Sequence, residues 1–173
     1  FVIPDTENEG KFTLDLQGLC QAQALSTRAG IRMTCLNLEL PHWDVIQKRD
    51  RLIGTSVTGW KDAIDMLEFT PEQEEKLQLI LSEVVNDEAI RYSHVLRIPT
   101  PLLSTTVKPE GTLSQVANGV SSGLHVSYAP YYIRRIRINA QDPLVHVAKE
   151  LGWTITHEIG TPEGEEPRTL VID

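Results

Sequence analysis

Residues 102–138 read LLSTTVKPEGTLSQVANGVSSGLHVSYAPYYIRRIRI and contain the most informative pattern of the chain. The segment opens with an apolar, β-branched run at 102–107, which predicts a buried strand. The turn-forming sequence KPEG at 108–111 interrupts that run, and residues 112–117 have the composition of the first turns of a helix. The sequence therefore predicts a strand that enters a helix through a tight turn.

Such a turn presents unpaired backbone N–H groups at the start of the helix, where the helix dipole is positive. The hydroxyl groups of Thr112 and Ser114 add two further donors. Together these groups could hold a phosphate, although an ordinary capped helix fits the same pattern. Glu110 opposes phosphate binding, because a carboxylate repels the anion unless Lys108 or a metal ion offsets it. No Gly-Lys-Ser/Thr follows the turn, so it is not a Walker loop.

Strands and helices alternate along the rest of the chain, which favours the α/β class. Thr70, Pro71 and Gln73 form the clearest helix start, with the pattern of a capping box. Strands are predicted at 1–4, 51–57, 131–138 and 168–173, and helices from about 13, around 43–48, from about 58, from 70 to 97 and from 142 to 152. The chain begins without methionine and ends on a predicted strand, so we expect one partial domain, residues 1–173, cropped at both ends.

Composition narrows the function classes. The chain has 173 residues, 40% of them hydrophobic and 23% charged, as in an ordinary globular protein. Its net charge of −8 argues against a nucleic-acid polymer or an anionic membrane surface as partner, because both are themselves negative. A single nucleotide held at one donor-rich site stays compatible with that charge. No run approaches the roughly 20 apolar residues of a membrane span.

The side chains that usually carry metal or nucleophilic chemistry are scattered. Cys20 and Cys35 form no C-x-x-C pair, and the five histidines show no metal-binding spacing. We therefore expect no metal site and two reduced, buried structural thiols. The sequence also lacks a nucleophile elbow and a dinucleotide-binding glycine fingerprint.

Three linked segments of this chain resemble ribonucleotide reductases: TTVKPEGTLS at 105–114, GVSSGLH at 119–125 and PYYIRRIRI at 130–138. They are most similar to the adenosylcobalamin-dependent (class II) large chains, particularly the ribonucleoside-triphosphate reductase type. The resemblance implies that residues 1–173 are a C-terminal portion of a ten-stranded α/β barrel. It also implies a parent oxidoreductase that makes 2′-deoxyribonucleotides by thiyl-radical chemistry with adenosylcobalamin as cofactor.

The resemblance further implies a substrate-phosphate loop within this chain. The loop would act mainly through backbone N–H groups and two hydroxyls, and its residues are Pro109, Glu110, Gly111, Thr112, Leu113 and Ser114. A second loop would lie nearby and flank the nucleotide, with Ser122, Gly123 and His125 as its candidate residues. The implied partners are a ribonucleoside tri- or diphosphate and the remainder of the reductase chain, in the cytoplasm.

No catalytic residue is expected in this chain itself. The family carries its radical cysteine and an acid/base glutamate in an Asn-x-Cys-x-Glu loop, and neither Cys20 nor Cys35 lies in such a motif. By the resemblance, that loop lies upstream of Phe1 and the electron-relay cysteines lie downstream of Asp173. We therefore expect the fragment to be inactive alone.

Several interpretations stay open at this point. The chain could be a stand-alone nucleotide-binding or regulatory module, or a purely structural part of a barrel whose turn is only a capped helix. A class I or glycyl-radical reductase is a neighbouring alternative, because the residues by themselves do not specify the cofactor. Arg134 and Arg135 could contact a substrate phosphate or pair with carboxylates in a barrel wall.

Overall fold

The chain divides into two compact units, Phe1–Ser127 and Tyr128–Asp173. The computed structural model of the protein describes residues 1–117, 119–127, 129, 131–162, 164 and 166–173. The first unit contains β1 (Val2–Pro4), β2 (Phe12–Leu14), α1 (Leu16–Met33), α2 (Pro41–Asp50), α3 (Trp60–Met66), α4 (Pro71–Leu96) and α5 (Gly111–Val116). The second contains β3 (Ile136–Asn139), α6 (Pro143–Glu150), β4 (Ile155–His157) and β5 (Thr169–Ile172). The prediction of a single partial domain over residues 1–173 stays a prediction.

Two long helices, α1 and α4, pack against each other in the first unit. Their apolar residues Ile31, Val85 and Ala89 are almost wholly buried. The predicted capping box of α4 is present, with Thr70 and Gln73 each bonding the other's backbone N–H. The predicted start of α1 near residue 13 was too early, because residues 12–14 pair with β1 as the antiparallel strand β2.

The short helix α3 is fixed to α4 by apolar and polar contacts. Trp60 and Ile64 form a buried cluster with Leu77 and Leu81 of α4. The carboxylate of Glu74, near the start of α4, accepts hydrogen bonds from the Trp60 indole N–H at 2.7 Å and from the Lys61 ammonium group. The Lys61 bond, followed by the Trp60 bond, lowers the pKa of Glu74 below its usual value. These contacts define where the first turn of α3 lies.

The segments predicted as strands at 51–57 and 102–107 do not form regular strands; a single parallel bridge joins Thr55 and Thr105, and Arg51 takes the left-handed conformation. The prediction that these segments are buried was wrong for much of their length. Leu102 and Leu103 are 68% and 65% exposed, and Ser104 is the one buried residue at 102–107. An apolar strand is buried on both faces only when other elements cover both, and no described residue of this unit covers these two leucines.

The second unit is a three-stranded antiparallel sheet with one helix. The strand order is β3-β5-β4, with Ile172 opposite both Ile136 and Ile155. Asp142, where the sequence predicts the helix to begin, caps α6 by accepting a hydrogen bond from the Leu144 amide. The predicted strand at 131–138 forms only from Ile136 onward, and Pro130 lies outside the described residues.

Candidate functional site

The predicted phosphate loop is an exposed turn that leads into a six-residue helix, α5. Glu110 takes the left-handed conformation with φ of 46° and precedes the first helical residue, Gly111. The N–H groups of Gly111, Thr112 and Leu113 have no acceptor among the described residues, whereas the Ser114 N–H donates to the Glu110 carbonyl at 3.0 Å. The loop therefore has the open donors that its sequence predicts.

The two hydroxyl groups predicted to contact phosphate have different surroundings. Thr112 is exposed, while Ser114 is fully buried. The Ser114 hydroxyl donates to the Gly111 carbonyl at 3.0 Å and lies 3.1 Å from the hydroxyl of Ser122. The Thr112 side chain is thus accessible to a ligand, and the Ser114 side chain ties the loop to its neighbour.

The second predicted loop packs directly against the first. Gly123 has a φ of 56°, and a Cβ atom added to it would overlap the carbonyl oxygen of Lys108. Only glycine allows this close approach in this backbone conformation. Ser122 therefore contacts Ser114 of the loop at 109–114, and Gly123 contacts Lys108 just before it, as expected of neighbouring loops. His125 is exposed, and its ring has no hydrogen-bond partner among the described residues.

Glu110 contributes the only carboxylate of the predicted loop. One of its carboxylate oxygens, Oε2, is buried and has no hydrogen-bond partner among the described residues. Lys108, one of the two groups that could offset this charge, is exposed and forms no ion pair with Glu110 within the described part of the chain. An anion at the open N–H groups would therefore meet a nearby negative charge as well as the donors.

Thr58 and Asp62, at the start of α3, hold the second loop in place. The Gly123 N–H donates to the Thr58 hydroxyl at 3.1 Å, and the Ser121 N–H donates to the Asp62 carboxylate at 2.6 Å. The sequence predicts only a helix from about residue 58 here and assigns it no role in a site. No local motif signals its role, because the contact joins residues about 60 positions apart.

The cysteines and arginines are used structurally where the structure describes them. Cys20 is half-buried and Cys35 is exposed, so the prediction of burial was wrong for Cys35, which follows the end of α1 at Met33. Arg135 pairs with the Asp173 carboxylate at 3.1 Å, the carboxylate alternative predicted for it. Within the described ranges, no group of three His, Cys, Asp or Glu residues is arranged to hold a metal ion.

Known proteins match this chain in both sequence and structure. The adenosylcobalamin-dependent ribonucleoside-triphosphate reductase of Lactobacillus acidophilus is 32% identical over 179 residues, covering 87% of this chain and 23% of that protein. The enzyme of the same name from Lactobacillus gasseri is 36% identical over 147 residues, covering 69% of this chain and 20% of that protein. The crystal structure of a B12-dependent (class II) ribonucleotide reductase matches with a TM-score of 0.72 and 27% identity, covering 92% of this chain and 24% of that one. This chain is homologous to part of the class II ribonucleotide reductases.

The reductase matches confirm the resemblance seen in the sequence and the predicted α/β fold. The chain spans only 20% to 23% of the length of these two relatives. No protein-family model matches the chain. None of the helices in its described ranges has the length and apolar composition needed to cross a bilayer.

Three cavities lined by described residues of the first unit are too small to fit adenosylcobalamin by themselves. These three cavities have volumes of about 470 to 570 Å³. Pockets for drug-sized ligands typically occupy about 300–1,000 Å³, and a corrinoid with its nucleotide tail is larger than such ligands. None of these three cavities is therefore large enough by itself to enclose that cofactor.

Proposed function

We propose that this chain is the part of a ribonucleotide reductase that holds the phosphates of the substrate and builds one section of the catalytic barrel. The observation that carries the proposal is the row of three open N–H groups at Gly111, Thr112 and Leu113. These donors lie in one of the three segments that resemble the reductases. A stand-alone binding module would use the same donors, so the parent enzyme's activity needs its own test.

The residues of the loop have separate roles in this proposal. The three N–H groups donate to phosphate oxygens, and the start of α5 adds a positive potential. The exposed hydroxyl of Thr112 donates to the same anion. The buried hydroxyl of Ser114 acts indirectly, because its bonds to Gly111 and Ser122 fix the conformation in which the N–H groups point outward. Pro109 and Glu110 shape the turn before them.

The whole enzyme would reduce ribonucleoside tri- or diphosphates to 2′-deoxyribonucleotides in the cytoplasm. Adenosylcobalamin, held by other parts of the parent chain, would supply the radical that starts the reaction. The residues of this chain bind and orient the nucleotide and provide no catalytic cysteine, so the segment alone would not turn over substrate. No metal ion and no nucleic-acid polymer enters this proposal.

The test is the double variant Thr112→Ala with Ser114→Ala in the full-length protein. We expect the KM for the ribonucleotide to rise by roughly one to two powers of ten, because the variant removes the Thr112 bond to the charged phosphate, which contributes about 1.5–3 kcal/mol, together with the Ser114 bonds that fix the loop. The kcat should change far less, since the phosphate is held in the ground state and the transition state alike. Steady-state kinetics with each of the four ribonucleoside triphosphates measures both constants.

The matched control is Thr100→Ala, which removes an exposed hydroxyl outside the loop. It should leave both constants within about twofold of the wild-type values. An unchanged KM in the double variant would remove these two side chains from the site. Nucleotide binding without any deoxyribonucleotide product from the full-length protein would favour a binding or regulatory module.

A further inference from the structure

We propose that Thr58 and Asp62 are positioning residues for nucleotide binding, which they control through the turn at 121–123 without touching the ligand. The inference rests on the proposed phosphate loop and adds to it the part of the fold that holds that loop in its binding conformation. Both residues belong to the segment that starts α3, far from the loop in sequence. The contact chain from α3 to the loop lies wholly within the first unit.

The hydroxyl of Thr58 is the first link in this chain. It donates to the Ser121 carbonyl at 3.2 Å and accepts from the Gly123 N–H at 3.1 Å. The adjacent backbone reinforces it, because the Gly59 N–H donates to Ser121 at 2.8 Å and the Trp60 N–H donates to Gly123 at 3.2 Å. The Thr58 hydroxyl thus forms hydrogen bonds to both end residues of the three-residue turn, Ser121 and Gly123.

The carboxylate of Asp62 is the second link. One oxygen accepts from the Ser121 N–H at 2.6 Å, and the other accepts from the Ser127 hydroxyl at 3.1 Å. The Asp62 N–H in turn lies 3.4 Å from the Ser121 hydroxyl. Asp62 therefore fixes the entry to the turn and the chain that leaves it, with hydrogen bonds strengthened by its charge.

The turn passes this constraint on to the phosphate loop through two contacts. The Ser122 hydroxyl bonds to the Ser114 hydroxyl inside the loop. Gly123 presses against the Lys108 carbonyl, just before the loop begins. Because Trp60 and Lys61 bond to Glu74, the start of α3 cannot shift without disturbing α4. The loop is therefore held by a rigid helix pair, although its own backbone makes few bonds.

The experiment compares Thr58→Val with Thr58→Ser in the full-length protein. Valine keeps the shape of threonine and removes its hydroxyl, whereas serine keeps the hydroxyl and both hydrogen bonds. We expect Thr58→Val to raise the KM for the ribonucleoside triphosphate roughly tenfold with kcat within about twofold, and Thr58→Ser to stay near the wild type. Asp62→Ala should act in the same direction, and Asp65→Ala, an exposed carboxylate on the same helix, should have no effect.

A second readout separates positioning from general loss of structure. Inorganic tripolyphosphate should inhibit the wild-type enzyme competitively, and its inhibition constant should rise in Thr58→Val by the same factor as the KM. Inhibition by the free ribonucleoside, which lacks phosphates, should not change. Equal weakening of both inhibitors would mean that the variant damages the whole site and would overturn the proposal.

The outcome also distinguishes this inference from the proposed function. If Thr112→Ala with Ser114→Ala weakens nucleotide binding and Thr58→Val does not, the loop binds phosphate but needs no support from α3. If neither the loop variant nor tripolyphosphate affects turnover, the phosphate loop itself is wrong. A similar loss in Thr58→Val and Thr58→Ser would assign the effect to packing, and the hydrogen-bonding role would then be wrong.

Discussion

The two turns that meet at Ser114 use their backbones in opposite ways. In the turn at 121–123, the N–H and carbonyl groups of Ser121 and Gly123 all bond to residues 58–62. In the loop at 109–114, three consecutive N–H groups have no acceptor among the described residues. The first turn is completed by the protein itself, and the second is left open to solvent or to a ligand.

This difference shows how the fold can support a binding loop. Exposed N–H groups cost little while water hydrates them, but they do nothing to fix the chain that carries them. A loop that keeps its donors for a ligand must therefore be fixed from outside. Here the neighbouring turn does so, through the hydroxyl of Ser122 and the close approach of Gly123 to Lys108.

The largest effect is expected from Gly123→Ala, which breaks the closed turn. The added Cβ would overlap the Lys108 carbonyl oxygen, and the φ of 56° is unfavourable for alanine. We expect the free energy of unfolding to fall by about 3 kcal/mol, with a KM for nucleotide that rises more than tenfold. Denaturant unfolding and steady-state kinetics of the full-length protein measure the two effects. A wild-type KM in a folded variant would show that the loop does not depend on this turn.

A smaller effect is expected from Glu88→Gln, which tests whether lost stability alone weakens binding. Glu88 is buried between α1 and α4 and bonds to Arg91 and Arg28, and the Arg91 bond is the main reason that the pKa of Glu88 lies below its usual value. Both arginines are at least 40% exposed, so we expect a loss of only about 1–2 kcal/mol. The KM should not change, because neither turn contacts this cluster.

The pH dependence of the stability difference between wild type and Glu88→Gln follows from the direction of the Glu88 pKa shift. A lowered pKa in the folded protein means that the unfolded chain binds the Glu88 proton more tightly. The stabilisation is therefore complete above the usual glutamate pKa of about 4.3 and is lost as the pH falls through the lower, folded value. Unfolding free energies of wild type and Glu88→Gln should differ at pH 7 and converge in acid. A difference in unfolding free energy that stays constant with pH would mean that the charge of Glu88 does not stabilise the contact between α1 and α4.

The sequence was sufficient to predict features that depend on near neighbours. The capping box at Thr70, the Asp142 cap and the turn before α5 are each specified within a few residues, so local chemistry identifies them. The candidate loop was predicted for the same reason. Its open donors follow from where α5 starts.

Features that depend on distant contacts could not be predicted from the sequence. The roles of Thr58 and Asp62 arise from bonds to residues about 60 positions away, and nothing in their neighbourhood marks them. The apolar run containing Leu102 predicted a buried strand, but Leu102 is exposed. Composition shows which side chains a strand could bury, and it does not show which elements cover them. The sequence assigns the Ser114 hydroxyl to the ligand because it does not reveal that Ser122 lies within hydrogen-bond distance of it.

The smallest effect is expected from Gly111→Ala, the counterpart of Gly123→Ala in the open loop. An added Cβ at Gly111 would meet no atom within 4 Å, and alanine keeps the N–H group while favouring the helix. We expect the unfolding free energy to change by no more than about 0.5 kcal/mol, with a KM within about twofold of the wild type. The two glycine variants, measured side by side, would then differ because one turn is closed and the other open. A strong rise in KM for Gly111→Ala, without loss of stability, would mean that the bound phosphate lies against the Cα of Gly111, and the open loop would then need its glycine for the ligand as the closed turn needs Gly123 for the fold.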